Sequence, residues 1–377
     1  MKSFRLYFGV FISVILAMAA GLVLVCLIPN DALEIWYKKS MDQLSAEDPY
    51  PSYFFNADAA IMDNFTDKLM IQNSRVSDNY RNVFEAAMDN NGYARYWNGY
   101  ILTLRTLMTF LSYQQIRYLN MYLFLLLFCL VFSGIHRQIG FPQALVFVLS
   151  LAGTFAVLIP ESLQYVSVYF IMLGMMCVLL YARGKARPGI LFMVCGMFTN
   201  YFDILTAPLL TLGMPLILWV LLEKKTGFRE IFRLSLLWGT GYAGCWVMKW
   251  CLGSLILHRN VFADALQTAQ FRVAGNSEYP LNRMEALRVN AATYWLAKGN
   301  RPFAVLMVMI TLIAFFFRKN LEFDRSLAPR LLLIALFPAL WFLSLANHSQ
   351  LHYFYTYRIQ AVTAFALGAM IRGKELP

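Results

Sequence analysis

The sequence is poor in charge: only 14% of its 377 residues are charged, whereas 59% are hydrophobic. This balance excludes an ordinary soluble domain and is typical of a protein that crosses the bilayer several times. The net charge of +11 does not indicate a nucleic-acid partner, because basic residues in such chains gather in cytoplasmic loops that face anionic lipid. The sequence therefore predicts a membrane protein with no nucleic-acid partner.

Cysteines are also few, and the familiar catalytic signatures are missing. The six cysteines lie in or beside apolar segments without metal-ligand spacing, so we expect no disulfide framework. The sequence contains no glycine-rich phosphate loop, GxSxG elbow, HExxH motif, internal repeat or low-complexity tract. These absences argue against nucleotide-dependent chemistry and against the common soluble hydrolase sites.

Apolar segments long enough to span a bilayer start near residues 6, 115, 142, 164, 188, 205, 233, 302, 331 and 359. The first follows Lys2 and Arg5 without a small-residue cleavage site, which favours a retained membrane anchor. The predicted fold class is therefore all-α, a single polytopic domain over residues 1–377 with about ten transmembrane helices.

The basic residues test this topology. With the amino terminus in the cytoplasm, the inner connections hold most of them: Lys2, Arg5, Arg137, Arg183, Lys185, Arg187, Lys224, Lys225, Arg229, Arg233, Arg318, Lys319, Arg325, Arg330, Arg372 and Lys374. The three short outer connections, near residues 160, 200 and 347, hold one, Arg358. This asymmetry predicts a bacterial cytoplasmic membrane protein with both termini in the cytoplasm.

Two long segments then fall outside, residues 29–114 and 253–301. The first contains 11 of the 21 acidic residues and includes the amphipathic stretch "DALEIWYKKSMDQL". Such stretches predict short helices in an ordered loop on the membrane surface. The outer face is thus expected to concentrate negative charge.

Within the first long segment, "IMDNFTDKLM" places Asp63 and Asp67 four residues apart. One interpretation is structural, in which Asp63 caps a helix and Asp67 pairs with Lys68 or an outer arginine. The other is that one of the two carboxylates is a general base.

Further polar groups lie where burial is costly. Arg105 stands between apolar residues and is expected to meet an anion such as a lipid phosphate. Tyr96 and Trp97 suit either an interfacial aromatic belt or a binding site. Asn200 and Asp203 occupy an outer connection, where Asp203 either caps a helix or faces a polar cavity.

The carboxyl-terminal block "NHSQLHYFYTYR" puts His348 and His352 four residues apart, followed by Tyr357 and Arg358. This pattern suits an interfacial turn, a metal pair or a cluster that binds phosphate or orients an acceptor. Arg272 and Arg283 in the second long segment are further candidates for phosphate binding.

An acid and several cations at an outer membrane surface suit sugar transfer from a polyprenyl-phosphate carrier. A carboxylate takes the proton of an acceptor hydroxyl while arginines stabilise the departing phosphate. The blocks "MDNFTDKLM", "YARYWNGYILTLR", "FTNYFDILTAPLLTLGMPL" and "NHSQLHYFYTYR" resemble an uncharacterised bacterial group within the GT-C superfamily of integral-membrane glycosyltransferases. The resemblance covers almost the whole chain and implies that Asp63 or Asp67 takes the place of the catalytic aspartate.

The expected function is an inverting transfer of a sugar from a polyprenyl-phosphate donor to an extracytoplasmic glycan, lipid or polymer. The predicted ligands of the donor and its phosphate are Arg105, Arg272, Arg283, Arg358, His348 and His352. The predicted orienting residues are Tyr96, Trp97, Asn200, Asp203 and Tyr357. No metal ligand or cofactor is assigned, and a divalent cation stays open; a flippase of lipid-linked saccharides and a noncatalytic scaffold are the alternatives.

Overall fold

The computed structural model describes residues 2–53, 58–185, 187–295 and 321–373, with the isolated positions 305 and 309. These residues are mostly helical. From the amino terminus the helices are α1 (Lys2–Cys26), α2 (Glu34–Ala46), α3 (Asn64–Ser74), α4 (Val83–Asp89), α5 (Tyr100–Leu107), α6 (Tyr113–Gln138), α7 (Phe141–Ala152), α8 (Leu163–Tyr181), α9 (Pro188–Phe202) and α10 (Leu210–Leu222).

The second half continues with the helices α11 (Phe228–Leu257), α12 (Val261–Ala274), α13 (Arg283–Trp295), α14 (Ala328–Ala335), α15 (Phe337–Ser344), α16 (Ala346–Leu351), α17 (Tyr353–Thr356) and α18 (Gln360–Gly368). Two short strands, β1 (Leu321–Phe323) and β2 (Ile371–Gly373), form an antiparallel ladder. Short 3₁₀ turns cover Asn30–Ala32, Asp58–Ala60, Ala156–Glu161 and Tyr357–Ile359.

Three helices in the described residues are long and apolar enough to cross a membrane: α1 over Phe4–Cys26, α6 and α8. They indicate a membrane protein. Other helices begin within five residues of predicted starts, but α7, α9, α10 and the pair over Ala328–Ser344 are shorter. Length and composition therefore assign three spans where the sequence predicted about ten, and the start near residue 302 lies outside the described residues.

The closest helix pair is α9 with α11, and two glycines explain why the backbones approach. A Cβ atom on Gly196 would collide with the carbonyl oxygen of Trp238, and one on Gly241 would collide with that of Met193. Small residues at a helix crossing permit this contact, which is a common device for packing helices in membranes. The pair brings the last turns of α9 beside the middle of α11, where Tyr242 and Trp246 lie.

The short connection at residues 203–209 brings the end of α9 beside the start of α10. The start of α8 lies at the same end, since the α3 helix packs on it, and α1 finishes there against α4 and α5. Helices α2 to α5, all within residues 29–114, cover this end of the bundle. The β1–β2 ladder lies at the opposite end, beside the start of α7.

Candidate functional site

Asp67, one of the two predicted bases, holds the start of α8. Its carboxylate accepts hydrogen bonds from the Tyr113 hydroxyl (2.7 Å), the Ser162 hydroxyl (3.1 Å) and the backbone N–H groups of Leu163 (2.8 Å) and Gln164 (3.0 Å). Burial raises the pKa of Asp67 to about 6, against the lowering effect of these hydrogen bonds and of nearby Arg117. With four donors on a fully buried carboxylate, Asp67 acts as a cap between α3 and α8.

Asp63 caps its own helix and keeps more accepting capacity. Its two oxygens accept from the backbone N–H (2.9 Å) and the hydroxyl (2.8 Å) of Thr66 at the start of α3. Burial raises the pKa of Asp63, and the Thr66 bonds oppose the rise. Since a carboxylate offers about four acceptor positions, buried Asp63 keeps two unused, whereas all four of Asp67 are filled.

Arg105 does not lie with the other predicted phosphate ligands. Its guanidinium donates to the carbonyl oxygens of Val25 (3.0 Å), Ile28 and Ser74 and to the side chain of Asn30 (3.2 Å). It therefore binds the free carbonyls at the end of α1 and the end of α3. This fully buried arginine has a structural role, and we leave it out of the site.

Three other predicted residues bind backbone carbonyl groups. The exposed Arg283 donates to the Leu343 carbonyl (2.8 Å) near the end of α15. The Trp97 indole donates to the Cys245 carbonyl (2.8 Å), and the Tyr357 hydroxyl donates to that of Ala59 (2.7 Å). Each of these contacts ties one element to another, so the three residues have a structural role in the fold.

Arg272 lines a cavity of about 270 Å³ between α11, α12 and α15. The cavity wall combines cations with aromatic rings, and its main members are Arg95, Tyr96, Tyr242, Trp246, Arg272 and Trp341. The Arg272 guanidinium lies 5.6 Å from the centre of the Tyr96 ring, and its buried Nη1 has no hydrogen-bond partner in the described residues. A buried guanidinium nitrogen without a partner favours an anionic ligand.

The turn after α9 adds a carboxylate close to this arginine. Burial raises the pKa of Asp203 to about 7, while hydrogen bonds from Thr206 and the charge of Arg272 lower it. Leu205 has a φ of 75°, an uncommon and strained value for a residue with a Cβ. On the last turn of α9, both amide atoms of buried Asn200 lack a partner in the described residues.

His348 and His352 come together next to this turn, with ring centres 4.9 Å apart. The Nε2–H of His348 donates to the Leu205 carbonyl (2.9 Å), because a carbonyl can only accept. Burial, aided by Arg272, lowers the pKa of His352 to about 4 and that of His348 well below its usual range. Both imidazoles are therefore neutral at pH 7, and Nδ1 of His348 keeps its lone pair.

Tyr355 connects this cluster to Asp63. Its ring stacks on His352, with centres 5.2 Å apart and planes at 16°, and lies 6.0 Å from the ring of Tyr165. Burial raises the pKa of Tyr355, the charge of Arg272 lowers it and the charge of Asp63 raises it. Both charges thus act on the hydroxyl of Tyr355.

Arg358 is a fully buried cation in the same region. Its guanidinium lies over the Tyr165 ring at 4.3 Å and the Tyr357 ring at 5.1 Å, and Nη1 donates to the Phe354 carbonyl (2.9 Å). Nε and Nη2 have no hydrogen-bond partner in the described residues. The aromatic faces offset part of the burial cost, and the two remaining nitrogens favour a bound anion.

Several site residues escaped the sequence analysis. Tyr242 and Trp246 belong to a row of aromatics repeating every fourth residue of α11, which also includes Trp238 and Trp250. That spacing marks one helix face and was a usable signal. Tyr355 offered none, because it is one aromatic among several in "HYFYTYR".

No group of three or more His, Cys, Asp or Glu side chains suited to holding a metal occurs in the part of the chain that the structure describes. Comparisons of the chain with protein-family models, with characterised proteins and with solved structures find no match.

Proposed function

We propose that this chain is a GT-C-like glycosyltransferase of the bacterial cytoplasmic membrane, with about ten transmembrane helices. It transfers a sugar from a polyprenyl-phosphate donor to an acceptor on the outer side. The observation that carries the proposal is that Arg272, which lines the cavity, and Asp63 both lie close enough to Tyr355 for their charges to act on its hydroxyl. A cation for a departing phosphate and a base for an attacking hydroxyl are the two groups that this reaction needs.

The distribution of charge along the bundle supports an outer location for the site. The end opposite the site carries Arg137 in the last turn of α6, Arg183 after α8, Lys224 after α10 and Arg372 in β2. Basic residues collect at the cytoplasmic ends of membrane helices. The site end, by contrast, is covered by the acidic segment 29–114.

The cavity suits the headgroup of a lipid-linked donor. Its aromatic wall offers apolar and ring-face contacts, and Arg272 in that wall supplies a positive charge for the phosphate. Arg358 supplies a second guanidinium with free nitrogens, and neutral His348 and His352 offer a hydrogen-bond acceptor and donor to sugar hydroxyls.

The proposed reaction is a single displacement. Asp63 removes the proton from an acceptor hydroxyl, and that oxygen forms a bond to the anomeric carbon as the bond from this carbon to the phosphate oxygen breaks. The electron pair of the broken bond leaves with polyprenyl phosphate, whose charge Arg272 stabilises. Attack opposite the leaving group inverts the anomeric centre.

The test measures release of free polyprenyl phosphate from polyprenyl-phosphate sugars by purified protein in detergent. Asp63→Asn removes the base and is expected to lower turnover by about 10²- to 10⁴-fold. Arg272→Gln is expected to lower it by about 10²-fold, since it removes a charge that stabilises the leaving group. Arg283→Gln is the matched control because that arginine is exposed and outside the site.

Equal turnover by wild type and Asp63→Asn would exclude Asp63 as the base. If Arg283→Gln lowers turnover as much as Arg272→Gln does, the effect of Arg272 is not specific to the site. Reconstitution of the protein in lipid vesicles distinguishes a transferase from the alternative, a flippase. Movement of the intact donor across the bilayer without release of polyprenyl phosphate would replace the transferase proposal with transport.

A further inference from the structure

A group of aromatic side chains lies near Asp63, outside the lining of the Arg272 cavity. We call Tyr50, Phe65 and Phe354 the aromatic platform. Tyr50 and Phe65 are 48% and 56% exposed, and Phe354 is half-buried. Single exposed aromatic side chains are common on protein surfaces, but a group of them in mutual contact indicates a binding surface.

The rings of the aromatic platform form one continuous surface. The Tyr50 and Phe65 rings stack with centres 6.2 Å apart and planes at 25°, and the Phe354 ring meets Tyr50 edge-on at 6.0 Å. The backbone holds them in place, because the Phe65 N–H donates to the Pro49 carbonyl (3.0 Å) and the Tyr50 N–H donates to the Asp48 carboxylate (2.8 Å). The surface is therefore built before any ligand arrives.

The aromatic platform continues directly into the candidate site. Phe65 follows Asp63 by two residues, and Phe354 contacts both His352 and Tyr355. Burial raises the pKa of the Tyr50 hydroxyl and the negative charge of Asp63 raises it further, so these two groups lie near each other. A ligand on the aromatic platform would thus present its edge to Asp63.

Charge around the aromatic platform points to the chemistry of the ligand. Asp48 is exposed at its edge, and half-buried Asp58 accepts a hydrogen bond from the Tyr353 hydroxyl (3.1 Å). The nearby Arg117 is bound by the carboxylates of Glu47 and Glu161 at 3.1 and 3.5 Å. Aromatics among carboxylates are unfavourable for an anionic lipid surface, which attracts basic segments.

We propose that the aromatic platform is the acceptor subsite and that its ligand is a neutral or amino-bearing saccharide. The C–H faces of a sugar ring pack on aromatic faces, and its hydroxyl or ammonium groups donate to carboxylates at the rim. This assignment rests on the proposed transferase function for its acceptor role, but saccharide binding itself is measured without a donor.

The experiment uses three tetrasaccharides of different charge: chitotetraose (neutral), the tetramer of chitosan (cationic) and tetragalacturonate (anionic). Binding to purified full-length protein in nanodiscs is followed by calorimetry and by NMR. The neutral and cationic tetramers are expected to bind, and tetragalacturonate is expected to bind at least tenfold more weakly. Tyr50→Ala and Phe65→Ala are each expected to weaken binding at least tenfold.

Phe84→Ala is the matched control, since Phe84 is 54% exposed in the same long segment but outside the aromatic platform. Binding of none of the three tetramers, or equal weakening by Phe84→Ala, overturns the proposal. The competing outcome is contact with the membrane, and 4-fluorophenylalanine at position 65 detects it. Broadening of its ¹⁹F signal by nitroxide-labelled lipids overturns the saccharide assignment, whereas a shift on adding chitotetraose supports it.

The outcomes separate this inference from the proposed function. If wild type binds the tetramers but releases no polyprenyl phosphate from any donor, the subsite stands as a saccharide site and the transferase proposal fails. If transfer occurs without platform-dependent binding, the transferase stands and the subsite is refuted.

Discussion

Replacing Asp67 and Asp63 by asparagine is expected to separate a structural carboxylate from a functional one four residues away. Asp67 accepts four hydrogen bonds in a fully buried setting. An asparagine keeps one accepting oxygen and turns an N–H₂ group toward donors, so about two donors lose their partner. At about 1–3 kcal/mol for each buried donor left unsatisfied, Asp67→Asn should lower the free energy of unfolding by about 3 kcal/mol.

Asp63→Asn should behave differently, because asparagine is as good an N-cap as aspartate. Its oxygen can still accept from the Thr66 N–H, and its N–H₂ group can donate to the Thr66 hydroxyl. We expect the free energy of unfolding to change by less than about 0.5 kcal/mol while turnover falls as given above.

The assay is reversible unfolding in mixed micelles of increasing SDS content, followed by tryptophan fluorescence, with turnover measured on the same preparations. A stable Asp67→Asn variant would refute the account of Asp67 as the cap of α8. The functional role of Asp63 is inferred from its unused hydrogen-bond acceptor positions. If Asp63→Asn unfolds as readily as Asp67→Asn, that inference is refuted.

Three further outcomes are expected. Because burial holds the pKa of Asp203 at about 7, this carboxylate loses its charge beside Arg272 as pH falls from 8 to 6. The affinity for a phosphodiester-linked donor should then rise about fivefold, near 1 kcal/mol. Asp203→Asn should abolish this pH dependence in a binding titration. Gly241→Ala should cost about 1–3 kcal/mol in SDS unfolding by forcing α9 and α11 apart, whereas Gly239→Ala, with open space around its Cβ position, should not. Arg105→Gln should lower the free energy of unfolding and leave the KM for the donor unchanged in the folded fraction. A raised KM would show that Arg105 contributes to phosphate binding.

Much of the helical framework follows from local pattern. Apolar length alone indicates α1, α6 and α8 as membrane spans, since lipid forces every backbone polar group to bond within its own segment. Shorter helices such as α7 and α9 have starts that the sequence predicts, but their lengths depend on neighbours. The number of spans therefore does not follow from a hydropathy pattern by itself.

The candidate site was partly predictable for a similar reason. Charged and polar residues in apolar surroundings stand out, which is how Asp63, Asp203, Arg272 and Arg358 were selected. The pattern also selected Arg105, since a sequence does not reveal which carbonyls a buried guanidinium will meet. Only the end of α1 and the end of α3, more than 40 residues apart in sequence, define its partners.

Composition and local pattern suffice to predict a helical membrane protein with acids and cations concentrated in particular segments, because hydrophobicity and charge act locally. The sequence also places two aspartates one helical turn apart. The folded structure shows that the carboxylate of Asp67 is fully hydrogen-bonded at the start of α8, whereas Asp63 accepts only from Thr66. A carboxylate's role depends on the donors around it, and the donors to Asp67 come from the starts of α6 and α8, which lie far along the chain and meet α3 only in the folded bundle.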